Sequence, residues 1–347
     1  MVCKERVKGK YTKGYTKHVT ARLKPIAILG AGAWGTALGL YLSRRGQTVH
    51  LWSQEAAEIA ALLADKANTR YLPGHVFPKT LQPIANLVEA IKNVDDVLIA
   101  IPSAGFRKTL VLLKSVATSP LRMTCATKGL DAKGGQLLHE IAANILGNTF
   151  PYAVLSGPSF ATEVATGLPT AVVIASKQPD FATDLQQRFH SALFQVQLSK
   201  DVIGVEIGGV VKNVIAIAVG IADGMQLGAN TRSALITHGL TEMMQLGIAL
   251  GGKQETFIGL SGMGDLILTC SDNQSRNRRL GLALGKGLNA EETEREIGQA
   301  VEGKQNVAVI VQLAKKHGIH MPIAEAVWDI LQGQLKATEM LSRLFSD

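Results

Sequence analysis

Lys212 stands in a segment, Val202 to Ala222, that reads as an otherwise apolar helix. A lysine surrounded by aliphatic side chains loses hydration, and its pKa falls toward that of a general acid working near neutrality. A lysine that snorkels from a buried helix to water is the competing reading. Gly208 and Gly209, one turn earlier, leave room for a ligand and favour the chemical role. Lys128 ends a strand read at Met123 to Thr127, the edge where parallel sheets present groups to ligands. Asp265 follows Gly262-Met263-Gly264, a flexible turn able to bring its carboxylate to a substrate hydroxyl or to Lys212. A plain helix N-cap would use the same residue. In Ser275-Arg276-Asn277 the guanidinium offers a planar fork for phosphate oxygens, with neutral donors on either side. Arg278 and Arg279 read instead as a solvated basic face.

Gly30-Ala31-Gly32-Ala33-Trp34-Gly35 matches GxGxxG, a weak signal by itself. Here it follows a strand (Pro25 to Leu29) and opens a helix leading to a second strand, the context that dinucleotide binding needs. Gly30 permits the tight turn, Gly32 lets backbone approach a pyrophosphate, and Gly35 lets helix pack on strand. The helix N-terminus then offers free N–H groups to the phosphates. The second strand ends in Trp52-Ser53-Gln54. An acid there would hold the ribose of NAD, and an arginine would accept the extra phosphate of NADP. Gln54 suits either, so the choice between NAD and NADP stays open.

These residues need a scaffold, and the sequence supplies one in two textures. Short apolar runs at Ile26 to Leu29, Thr48 to Trp52, Val97 to Ile101, Met123 to Thr127, Ala153 to Ser156 and Ala171 to Ala175 read as buried strands of a parallel sheet. Helical segments such as Trp34 to Arg45 alternate with them. The fold class expected is α/β: an N-terminal Rossmann-like doubly wound sheet over residues 25–200. Beyond it, Val202 to Ala222, Thr231 to Leu250, Gln305 to His317 and Pro322 to Leu335 all read as helices. Residues 201–347 are therefore expected to form an all-helical catalytic domain. The Val202 to Ala222 helix suits a domain core or a homodimer interface equally.

Composition bounds the rest. Hydrophobic residues make up 46% and charged residues 18% of the 347, enough for two domains with large cores. The net charge of +8 is misleading: residues 1–24 carry eight Lys and Arg against Glu5, so the remainder is nearly neutral. A nucleic-acid role would rest on that basic tail alone, which reads as disordered. No run reaches the ~20 uninterrupted apolar residues of a membrane span. Cys3, Cys125 and Cys270 are scattered, which fits a reducing, cytoplasmic compartment and argues against disulfides or structural zinc. Cys270 reads as a small buried hydrophobe. His317 and His320 lack a third ligand nearby, so no metal is expected.

Taken in order, GAGAWGTAL, Ala126-Thr127-Lys128-Gly129-Leu130, Ser156-Gly157-Pro158-Ser159-Phe160-Ala161, Gly208-Gly209-Val210-Val211-Lys212-Asn213, and Gly264-Asp265 continuing to Asn273-Gln274-Ser275-Arg276-Asn277 form a pattern. It resembles the bacterial-type NAD(P)-dependent glycerol-3-phosphate dehydrogenases over residues 25 to about 340. The resemblance implies reversible reduction of dihydroxyacetone phosphate to sn-glycerol 3-phosphate, for glycerophospholipid synthesis. It implies Lys212 as catalytic residue and Lys128, Gly157, Ser159, Asp265, Ser275, Arg276 and Asn277 at the substrate. Gly30, Gly32, Ala33, Trp34, Gly35, Gln54, Lys128, Ala161, Arg276, Ala300 and Glu302 would meet the dinucleotide. Other Rossmann-plus-helical dehydrogenases, of the 3-hydroxyisobutyrate or 6-phosphogluconate type, are the nearest alternatives. A dinucleotide-binding regulator without turnover would not need a lysine inside an apolar helix.

Overall fold

The computed structural model describes residues 24–131 and 134–344. The basic segment before Lys24, with Cys3, lies outside the described residues. Lys24 itself is anchored: its Nζ lies 2.9 Å from Asp95 Oδ1, and its carbonyl accepts from Arg188.

Ten strands occur among the described residues: β1 Ile26–Leu29, β2 Val49–Trp52, β3 Ala67–Asn68, β4 Leu72–Val76, β5 Leu81–Ile84, β6 Asp96–Ile99, β7 Arg122–Cys125, β8 Tyr152–Ser156, β9 Thr170–Ser176 and β10 Phe194–Ser199. Eight build one sheet in the order β10-β9-β8-β7-β6-β1-β2-β5, while β3 and β4 pair apart from it. The central strand β1, all aliphatic and wholly buried, pairs in parallel with β2 and β6. The chain leaves β1 toward β2 and later returns to its other side with β6. The carboxyl end of β1 is therefore a topological switch point, where doubly wound folds open a crevice.

Four strands escaped the sequence reading: the short separate pair β3 and β4, and β5 and β10, which are the two edges of the main sheet. Edge strands need no continuous apolar run. β10 alternates buried Phe194 and Val196 with exposed Gln195 and Gln197, and β5 carries Pro83, which only an edge tolerates. The sheet is also not wholly parallel, because β8 and β9 run antiparallel. Their link holds only the six-residue helix Ala161–Thr166, too short to recross the sheet as parallel pairing requires.

After β10 every regular element among the described residues is helical. Val202–Gly224 forms the axis. At 23 residues it is, by length and mean hydropathy, apolar enough to cross a membrane, although Glu206, Lys212 and Asn213 interrupt the apolar run, and 94% of its most apolar window is buried inside the protein. Burial within a single chain also makes it domain core rather than a subunit interface. The Arg276–Gly285 helix lies against it at backbone distance. A Cβ on Gly220 would sit 2.4 Å from the Arg278 carbonyl, and one on Gly281 2.1 Å from that of Ile217. This approach fixes where Arg276 emerges relative to Lys212.

Candidate active site

The glycines of the nucleotide loop divide into two kinds. Gly30 has φ +121° and would drive a Cβ to 2.3 Å from the Ala100 carbonyl; a Cβ on Gly35 would lie 1.9 Å from the Gly30 carbonyl. Both are demanded by the protein's own packing. A Cβ on Gly32 would meet nothing within 4 Å. The fold itself places no demand for a bare backbone there. Two residues on, Trp34 Nε1 is a buried donor without a hydrogen-bond partner. Open space at Gly32, an unspent donor at Trp34 and the start of the Ala33–Arg44 helix together fit a dinucleotide pyrophosphate.

The loop continues laterally along the carboxyl ends of the strands. Gly30 abuts Ala100 after β6, and Thr127 after β7 donates its hydroxyl to the Ile101 carbonyl at 2.9 Å. Lys128 follows, its Nζ 2.7 Å from Asp265 Oδ2. The other carboxylate oxygen of Asp265 takes Lys212 Nζ at 2.5 Å, and Lys212 also donates to Thr269 Oγ1 at 2.8 Å. One carboxylate thus bridges two ammonium groups drawn from the sheet and the axial helix. Asp265 is the first residue of the Asp265–Ser271 helix, entered through a π turn at Leu260–Gly264. Its side chain serves the lysines, not the helix N-terminus.

Burial sets the electrostatics. Lys212 is 5% and Asp265 1% exposed. Loss of hydration, aided by Lys128, outweighs the pull of Asp265 and brings the Lys212 ammonium down to about 8. Burial pushes the Asp265 carboxyl up, but Lys128 and Lys212 overcome it and hold it below the usual carboxylate range. Glu302 opens the Glu302–Lys316 helix. Desolvation raises its carboxyl pKa against the field of Arg276, Lys128 and Lys212, so all four groups share one neighbourhood. Arg276 is half-buried and donates to Gln299 Oε1 at 3.3 Å, next to half-buried Ala300.

Other residues singled out in the sequence make contacts within the fold or lie at its surface. Ser275 caps its helix by accepting from Arg278 N at 3.2 Å. Asn277 donates to Asn213 Oδ1 at 2.9 Å and accepts from Gly303 N at 2.8 Å, tying three helices together. Gly157, at φ +139°, packs on the backbone of Val172. Ser159 donates to the Gly157 carbonyl at 2.9 Å. Ala161 begins the helix that packs on the nucleotide helix, and Gln54 is exposed just beyond β2. Space at Gly208 is taken by backbone, and Gly209 faces the side chains of Ser156 and Lys128. A Cβ on Gly208 would meet the Ser261 carbonyl at 2.6 Å, and one on Gly209 would meet Ser156 Oγ at 3.2 Å and Lys128 Cγ at 3.5 Å. Arg278 is not on a solvated face: it is buried and paired with Asp223, whereas Arg279 is exposed.

Thr269, Gln299 and Asn306 were not apparent in the sequence. Asn306 accepts from Leu130 N at 2.9 Å and so pins the Lys128 loop to the Glu302 helix. Nor is the axial helix apolar apart from Lys212, since Glu206 is buried in it. Cys125 and Cys270 are free and buried, and burial pushes the Cys270 thiol to about 12.

A dinucleotide cradle beside a desolvated lysine–carboxylate–lysine bridge is the equipment of a nicotinamide-linked dehydrogenase. Comparison with known proteins narrows the class. The family model described as NAD-dependent glycerol-3-phosphate dehydrogenase N-terminus matches residues 25–182, and its C-terminus counterpart matches 201–342. A Coxiella burnetii protein (strain RSA 331 / Henzerling II) named as an NAD(P)+ glycerol-3-phosphate dehydrogenase is 51% identical over 320 residues, covering 92% of this chain and 96% of its own. Its namesake from Glaesserella parasuis serovar 5 is 49% identical over 308 residues, 88% of this chain and 92% of its own. The 2.1 Å crystal structure of glycerol-3-phosphate dehydrogenase from Coxiella burnetii superposes with a TM-score of 0.91 at 50% identity, over 93% of this chain and 99% of that one. The chain belongs to the NAD-dependent glycerol-3-phosphate dehydrogenase family.

Proposed function

We propose that this protein interconverts dihydroxyacetone phosphate and sn-glycerol 3-phosphate with NAD or NADP, feeding glycerophospholipid synthesis. The observation that carries the chemistry is the Asp265 bridge, which keeps a desolvated Lys212 beside Lys128 and near Arg276. In this reading residues 25–200 carry the dinucleotide at Gly30, Gly32, Ala33, Trp34, Gly35 and Gln54, and residues 201–347 supply the catalytic helix. The dinucleotide, when bound, supplies or accepts hydride at the substrate's central carbon. Lys212 gives its proton to the carbonyl oxygen in reduction and takes one from the hydroxyl in oxidation. Asp265 orients both lysines and balances their charge. Three cations against Asp265 and Glu302 leave a local excess of positive charge, suited to a phosphate, and Arg276 is the group with the geometry to grip it. Free, buried Cys125 and Cys270 support a reducing, cytoplasmic setting.

Oxidation of NADH and of NADPH by dihydroxyacetone phosphate, beside unphosphorylated dihydroxyacetone, tests the reading. Turnover strongly favouring the phosphorylated ketone is expected. Equal turnover of both ketones would remove the phosphate grip, and turnover of neither would remove the reaction.

A further inference from the structure

Lys212 must regain or lose one proton per turnover, yet it is buried and hydrogen-bonded only to Asp265 and Thr269. Behind Lys128 lies a cavity of about 10 Å³, bordered by Thr127, Lys128, Ser156, Glu206 and Gly209. That is room for one water, which needs two to four polar partners. Ser156 Oγ on its wall is buried and has no hydrogen-bond partner. Glu206, also on the wall, is 5% exposed and comes from the same helix as Lys212, two turns earlier. Its Oε1 accepts from Tyr152 Oη at 2.7 Å and from His139 N at 3.0 Å, and its Oε2 lies 2.8 Å from His139 Nδ1. The side chain of His139 keeps 16% exposure.

We propose that Glu206 and His139 form a proton relay joining solvent, through this one-water cavity, to the Lys128–Asp265–Lys212 bridge. The inference rests on Lys212 being the proton-transfer group. In the oxidation direction Lys212 takes the hydroxyl proton and passes a proton to Asp265. Lys128 sends one of its own into the cavity and is recharged from Asp265 once the protonated carboxyl group rotates to present its O–H to Lys128. The water in the cavity hands on a proton to Glu206, and Glu206 to Nδ1 of neutral His139 in its Nε2–H tautomer, 2.8 Å away; the imidazolium then releases its Nε2 proton to solvent. Once the Nδ1 proton has exchanged through solvent to restore that tautomer, every group ends as it began, and one proton leaves for each alcohol oxidised. Reduction runs the same chain inward.

The surroundings of His139 suit the task. Burial pulls its imidazolium pKa down, but Glu206, with Glu140 from its own helix, more than restores it, while Lys177 opposes. The net shift is upward, so the imidazolium that the relay forms is favoured over that of a free imidazole. Tyr152 also faces the ring, its centroid 6.4 Å away, with its hydroxyl pKa pushed up by burial.

A purely structural Glu206, capping the Leu138–Leu146 helix through His139 N, would leave proton traffic untouched. Stopped flow separates the two roles. Nicotinamide reduction by sn-glycerol 3-phosphate is followed by absorbance, and proton release by a pH indicator in weak buffer. In the wild type the two should coincide. In His139→Gln, whose amide can hydrogen-bond Glu206 but cannot take a proton, proton release should lag reduction by roughly tenfold or more, with dinucleotide affinity unchanged. Added imidazole should abolish the lag. Ser156→Ala, which deletes a hydroxyl without a protein partner, should show the same lag and serves if His139→Gln does not fold. Proton release in step with reduction in a folded variant overturns the relay. A lag that imidazole leaves unchanged overturns His139 as the outlet. A wild type that reduces no nicotinamide fails the functional reading instead.

Discussion

The nucleotide loop and the lysine bridge make opposite demands on the chain. The loop is local: Gly30, Gly32 and Gly35 lie within six residues, and two of the three are required by contacts inside the loop and with Ala100. The bridge is assembled from afar, with 84 residues from Lys128 to Lys212 and 53 more to Asp265. The loop can therefore be damaged through the backbone, whereas the bridge is damaged through charge. Substitutions in the first should act on stability or dinucleotide affinity. Those in the second should act on turnover.

The widest separation is expected from Lys212→Met. Methionine suits a buried helix, so dinucleotide affinity should survive, while kcat should fall by about 10²- to 10⁴-fold, the usual contribution of general acid catalysis. Retention of more than about a tenth of turnover would move the proton to another group, with Lys128 next in line. Arg276→Ala should raise KM for dihydroxyacetone phosphate by about ten- to 150-fold, equivalent to roughly 1.5–3 kcal/mol for a charged hydrogen bond. Little change is expected with unphosphorylated dihydroxyacetone, and equal losses would take Arg276 out of the phosphate site.

Within the loop, Gly35→Ala should lower stability by about 1–3 kcal/mol or more, because its Cβ overlaps the Gly30 carbonyl. Gly32→Ala should leave the melting temperature nearly unchanged and weaken dinucleotide binding instead. Matching losses of stability in both would erase the distinction between packing and ligand glycines. The smallest effect belongs to Gln54→Asp. An exposed carboxylate there should shift preference from NADPH toward NADH by about twofold to fivefold, the scale of a solvated charge. An unchanged ratio would place Gln54 away from the adenosine ribose.

The same contrast decides what was legible in the sequence. Aliphatic strands such as β1 declare themselves because burial on both faces leaves no polar position. β5 and β10 do not, because each has a free edge. Lys212 stood out as a charge among aliphatic residues, but Glu206 six residues earlier did not. Its partners, His139 and Tyr152, come from other elements and give no local pattern. Thr269 and Asn306 were silent for the same reason. Arg278 misled, since its partner Asp223 lies 55 positions away, at the end of the axial helix. Gly208 and Gly209 read as room for a ligand, but what approaches them is Ser261 backbone and the side chains of Ser156 and Lys128. Residue type announces that a group is unusual, and only packing tells what it meets.

Lys212 exchanges the substrate proton from a desolvated site in the function proposed for this protein. The most direct measurement is the pH dependence of kcat for oxidation of sn-glycerol 3-phosphate, in wild type and Lys212→Met. Oxidation needs the neutral amine, and burial has lowered the ammonium to about 8, so activity should rise with pH through that region and level off well below free lysine. Reduction needs the ammonium and should fall through the same region. The residual activity of Lys212→Met should lack this limb. A limb near 8 that persists in the methionine variant, or a wild-type limb at the pKa of free lysine, would contradict the account.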